Sequence, residues 1–144
     1  MEASKRTFLE RLAFVLVLLM VLLQGFYALF AFIDPLAFSL NRGTELVDSG
    51  DNDWVAIYAS RTLFVALVVG YLLFARAYAL LQWVALLGLV MPITDGLLAY
   101  QSQVAFTVVA RHAATAVYLI CTFLVLQRVS KEQTLLPAPG ERER

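Results

Sequence analysis

Four long apolar runs separated by short polar breaks set the pattern of this chain. After Lys5, Arg6 and Arg11, residues 12–33 carry no charge. Further apolar runs occupy residues 54–75, 79–100 and 104–127. As a helix, each is long enough to cross a hydrocarbon layer about 30 Å thick. The pattern predicts an all-α fold, an integral membrane four-helix antiparallel bundle. Residues 1–11 read as a short leading segment. Residues 128–144, with prolines and a closing Glu-Arg-Glu-Arg, read as a disordered tail.

A positive start before an apolar run also describes a signal peptide. Here the run is too long and no small-x-small cleavage site follows it, so a retained anchor is expected. Residues 34–53 form the one long connection. Asp34-Pro35 looks like a helix cap followed by proline at the first helical position, and Gly43 is placed to end the short helix that would follow. Asp51 and Asp53 suit the start of the next helix, and Trp54 suits the membrane interface.

Composition sharpens the class. Apolar residues make up 61% of the 144 residues and charged ones 15%, against about 25% charged in soluble domains. A chain this small cannot hide that surplus in a core, so lipid must cover it and membrane lipid is its first partner. The formal net charge is zero, which argues against nucleic acid. A single cysteine, Cys121, cannot form an internal disulfide or a redox pair and is expected to serve packing. One histidine and no cysteine cluster leave no metal or haem site, and no phosphate-binding glycine loop or nucleophile elbow is present. No cofactor is expected.

Orientation follows from the basic residues. With the N-terminus inside, the cytoplasmic side holds Lys5, Arg6, Arg11, Arg76, Arg128, Lys131, Arg142 and Arg144, while the outer connection holds Arg42 alone. This bias predicts N- and C-termini in the cytoplasm and a multi-pass protein of the cytoplasmic (inner) membrane. It also disfavours the dual-topology insertion proposed for small multidrug exporters. Those exporters need a carboxylate in the first span, and residues 12–33 have none.

Against this apolar background, residues 91–100 stand out, because Pro92, Thr94, Asp95 and Gly96 interrupt the third span. Pro92 removes the amide that would bond the Gly88 carbonyl and should bend the helix below Asp95. Counting from Trp54, Gln101 and Gln103, the backbones of Arg61, Asp95 and Arg111 lie about 9–12 Å below the outer interface, and His112 is one residue deeper. An arginine can extend its head toward the headgroups, but a short aspartate cannot. Asp95 must therefore pair, protonate or line a wet cavity, and its expected partner is Arg61 or Arg111. Asp34, at the outer end of the first span, is a further charge available to balance the layer.

The fourth span carries Thr107, Arg111, Thr115, Tyr118 and Thr122 at helical spacing. Tyr58 and Thr62 flank Arg61. This polar stripe is longer than a single ion pair needs and points to a pocket. The favoured reading is a site for a small lipophilic or amphiphilic ligand, bound through Arg61, Arg111, Tyr58, Thr115, Tyr118 and Asp34. The alternative is a cofactor-independent intramembrane enzyme, an isomerase, cyclase or epoxide hydrolase, with Asp95 as acid or base and His112 as its proton partner. A third reading is a structural or accessory subunit, in contact with a membrane-protein partner or with further copies of itself.

Several short motifs also resemble those of a known group. They are Gly25-Phe26-Tyr27-Ala28-Leu29-Phe30 leading to Asp34-Pro35, Tyr58-Ala59-Ser60-Arg61, Pro92-Ile93-Thr94-Asp95 and Arg111-His112. Over about residues 12–127 the chain resembles the DoxX-like superfamily of small four-helix bacterial membrane proteins, most closely its members of unknown function. The resemblance implies four helices with both ends inside, and it singles out Arg61, Asp95 and His112. That group includes subunits attached to quinone-linked oxidation, but this chain has no second histidine or cysteine for such work.

Overall fold

The computed structural model describes residues 2–44, 46–48 and 50–134, apart from the side chains of 2–5 and 134. Six helices follow in order: α1 (Glu2–Ile33), α2 (Pro35–Arg42), α3 (Asp51–Phe74), α4 (Tyr78–Leu87), α5 (Val90–Gln101) and α6 (Phe106–Thr134). No strand occurs among the described residues. The segments Arg6–Ile33, Asp51–Phe74, Tyr78–Gln101 and Phe106–Gln133 are each long and apolar enough to cross a membrane. In the most apolar stretch of each, only 17–33% of residues are buried within the protein. Phe64, Leu67, Phe74, Leu87, Val117 and others point outward. A helix that is apolar on both its inner and outer faces belongs in lipid.

The third of these segments is two helices, α4 and α5, joined at Gly88 and Leu89. Leu89 donates to the Leu86 carbonyl and Met91 to the Gly88 carbonyl, so the chain tightens locally to three-residue bonds. Pro92 then sits buried in the first turn of α5, where its missing amide costs little.

At its other end α6 departs from expectation. Residues 128–134 continue the helix rather than forming a disordered tail. The reason is burial: Val129 and Leu126 pack in the core against Ala13 and Val17 of α1. The remainder of the expected tail, 135–144, lies outside the described residues. Cys121 departs as well, because it is exposed on α6 and does not fill the core.

Two separate cores hold the helices together. The larger joins Ala13 and Val17 of α1, Val69 and Leu73 of α3, Tyr78, Leu81 and Ala85 of α4, and Leu126 and Val129 of α6. The smaller joins Ala31 of α1, Phe38 of α2, and Val55 and Ala59 of α3. Small residues bring α1 and α3 close: Ala28, Ala31, Ala59 and Ala66 are buried, and a methyl group at Gly70 would touch Val21 at 3.6 Å. On the far side, α4 and α5 both pack on α6, while α3 and α5 share no comparable contact. The stretch between the two cores is therefore left partly open.

Candidate functional site

The opening is a cavity of about 300 Å³ lined by α1, α2, α3, α5, α6 and the end of α4. Its deeper wall is apolar, formed by Met20, Val21, Val65, Val69, Val84 and Leu119. Its other end, beneath α2, gathers Arg42, Tyr58, Arg61, Asp95, Arg111 and His112. The α2 helix is what closes this end, and its sequence accounts for its position.

Asp34 accepts a hydrogen bond from the Ala37 amide at 2.9 Å and caps α2, with Pro35 at the first helical position. Phe38 anchors the helix, its ring 5.8 Å from Phe30, 6.2 Å from Tyr27 and 5.3 Å from Tyr58. At the other end Gly43 has φ +82° and Thr44 donates to the Ser39 carbonyl, the six-to-one bond of a Schellman cap. A side chain at Gly43 would meet Val104, in the turn before α6, and Val108 of α6, both at 3.2 Å. Glycine thus satisfies two demands here, a left-handed backbone and a close seat on α6.

That seating directs the residue just before it. Arg42 reaches down from α2 and forms an ion pair with Asp95 of α5. The guanidinium also lies 5.6 Å from the centre of the Tyr27 ring. The expected partners Arg61 and Arg111 are therefore corrected to Arg42. The physical reason is that α2 lies across the end of the cavity and carries a long cation onto the acid from above. Arg111 is engaged otherwise: its Nη1 donates to Asn41 Oδ1 at 2.6 Å and its Nε to the Thr107 carbonyl at 3.4 Å.

His112 follows Arg111 on α6 and is buried, within electrostatic reach of Arg42, Asp95 and Arg111. It lies close to α5 because Gly96 faces it: a methyl group at Gly96 would stand 3.3 Å from His112 Cβ. Arg61 lines the same cavity from α3 and is exposed, with no ion pair or hydrogen bond among the described residues. Gln24 of α1 lines it as well.

The polar stripe of α6 divides in two. Arg111, Thr115 and Tyr118 face the cavity, but much of the polarity is spent locally. The Thr115 hydroxyl donates to the Arg111 carbonyl, and the Thr122 hydroxyl donates to the Tyr118 carbonyl, both at 2.9 Å. The Tyr118 hydroxyl donates to the Leu16 carbonyl and ties α6 to α1. Asp34 is not brought to the cavity. It is exposed, and its carboxylate is held by the α2 cap.

A second, shallower cavity of about 560 Å³ lies beneath the α2–α3 connection. Arg42, Tyr58, Asp95 and His112 border both cavities, so the ion pair and two aromatic rings stand between them. Arg42 and Asn41 are the functional positions that the depth count misses. One signal for Arg42 was present: it is the lone cation of the outer connection and sits directly before the glycine that ends α2. Among the described residues no group of three His, Cys, Asp or Glu side chains could hold a metal ion.

Fold and site together define an all-helical protein with four membrane-length helices around a cavity that is apolar at one end and arginine-rich at the other. Within that class, residues 12–126 match the domain of unknown function DUF4267, and the chain belongs to that family. No curated protein and no solved structure matches it significantly.

Proposed function

We propose that this is a multi-pass protein of the cytoplasmic membrane that binds a small lipophilic or amphiphilic ligand in the cavity between its two cores. The observation that carries the reading is the cavity itself. A space of about 300 Å³ with mostly apolar walls and a few convergent polar groups is the usual form of a small-molecule site. The spans run antiparallel, with both termini in the cytoplasm. The basic residues support that orientation, and the two cores support the antiparallel order. Each core brings the start of one of the helices α1 and α3 against the end of the other. Membership in the DoxX-like superfamily fits this architecture, as does assembly with a membrane-protein partner or with further copies.

Catalysis by Asp95 is the weaker reading. The carboxylate is already engaged by Arg42, so proton transfer would first require that pair to open.

The test is purification of the whole protein, followed by mass spectrometry of what it carries. Thr115 is half-buried on the cavity wall, and its hydroxyl bonds its own helix. Thr115→Phe should fill the space and yield a folded protein without the molecule. An identical complement of bound molecules in wild type and folded Thr115→Phe would refute the site. Turnover of the molecule by wild type, absent in Asp95→Asn although the molecule still binds, would establish the enzymatic alternative.

A further inference from the structure

The charge balance of the cavity narrows the class of ligand. Three guanidiniums, those of Arg42, Arg61 and Arg111, line it against one carboxylate, that of Asp95. The ion pair with Arg42 neutralises that carboxylate, so it does not repel an incoming anion. Arg111 is held by the amide oxygen of Asn41 and by a main-chain carbonyl, both of them neutral. Its orientation is therefore fixed while its charge stays uncancelled. Arg61 has no ion pair among the described residues. Two positive charges in excess therefore stand beside apolar walls, and a bound anion would neutralise them. A guanidinium presents paired donors that match a carboxylate or phosphate group.

The remainder of the cavity selects what the anion is attached to. From Arg111 to Leu119 on α6 the wall extends about 12 Å at ~1.5 Å per residue. It turns from charged to apolar along that length, ending at Val69, Val84 and Leu119. At ~30 Å³ for each water-sized group, the volume admits about ten such groups. That matches one short hydrocarbon chain.

We infer that the ligand is a single-chain anionic amphiphile, its acidic head held by Arg61 and Arg111 and its tail lying between α3, α4 and α6. This rests on the binding reading above and gives it a chemical class.

The experiment uses the full chain in nanodiscs of zwitterionic phosphatidylcholine, with empty nanodiscs subtracted. Radiolabelled decanoate, decanol and decyltrimethylammonium share a chain and differ in the head. Decanoate should bind at least about tenfold more tightly than decanol, the span expected for one charge-assisted contact. Arg61→Gln should remove most of that preference and leave decanol affinity unchanged. Arg61→Lys, which keeps the charge but loses the paired donors, should fall between the two. Because Arg61 is exposed and free of contacts that hold the fold, its variants should remain folded. Arg111→Gln is the second arm.

Equal binding of decanoate and decanol would overturn the inference and leave the binding reading standing. Saturable binding of none of the three would overturn both. Displacement of decanoate by phosphatidylglycerol would likewise refute the single-chain assignment, because it would make a bilayer lipid the occupant.

Discussion

Arg42 and Asp95 are 53 residues apart in sequence and form an ion pair beneath α2, at the junction of the two cavities. The partners are not equivalent. A freed arginine can extend toward the headgroups, but a freed aspartate at this depth cannot. The two side chains retain 20% and 34% of their exposure, so solvation weakens the pair below a fully buried one.

The asymmetry gives a signed prediction. Arg42→Gln should destabilise the protein by about 1–2 kcal/mol, the lower part of the range for leaving one partner unsatisfied, because the pair is partly exposed. Asp95→Asn should cost less. The double variant should be no worse than Arg42→Gln alone, which thermal unfolding in a double-mutant cycle will show. Strictly additive losses would mean that the pair contributes nothing.

Gly43 is the second point of leverage. Gly43→Ala meets both the left-handed φ and the 3.2 Å contacts with Val104 and Val108. A loss of about 1–3 kcal/mol is expected from backbone strain and overpacking together. Adding Val104→Ala should recover only part of it, because the φ remains. Full recovery would show that strain at this turn is negligible.

Gly96 tests the α5–α6 contact at His112. The 3.3 Å approach makes alanine a tight fit, and its better helix propensity offsets some of the crowding. Gly96→Ala should therefore change stability by less than about 1 kcal/mol. Gly96→Leu should cost about 1–3 kcal/mol by forcing α5 off α6. Equal behaviour of the two variants in thermal unfolding would place no close contact there.

The proposed orientation has a direct check in intact cells. In a Cys121→Ala background, Thr44→Cys in the α2–α3 connection should react with a membrane-impermeant maleimide applied outside. Ala75→Cys, in the α3–α4 turn, should react only after lysis. The opposite labelling pattern would invert the assigned topology.

Much of this molecule can be read from residue types alone. Apolar runs of membrane length follow from the poverty of charge, and no packing can hide so much apolar surface in so small a chain. The ends of α2 are written locally, in Asp34 and Pro35 at its start and Gly43 at its close, because caps depend on the nearest few residues. The cost of Asp95 is equally local, since a short acid in an apolar helix is expensive wherever the helix goes.

What the acid meets is another matter. Depth counting compares residues along spans that run across the membrane, and α2 is not one of them. Its Arg42 comes to Asp95 only because Phe38 docks among the aromatic rings of α1 and α3 and Gly43 seats on α6. Likewise, Arg111 turns to Asn41, and Asp34 turns away into a cap. The sequence by itself determined four membrane-length helices and a costly acid in the third. Tertiary structure alone decided its partner and the excess of arginine facing the cavity, because both depend on contacts between segments far apart in the chain.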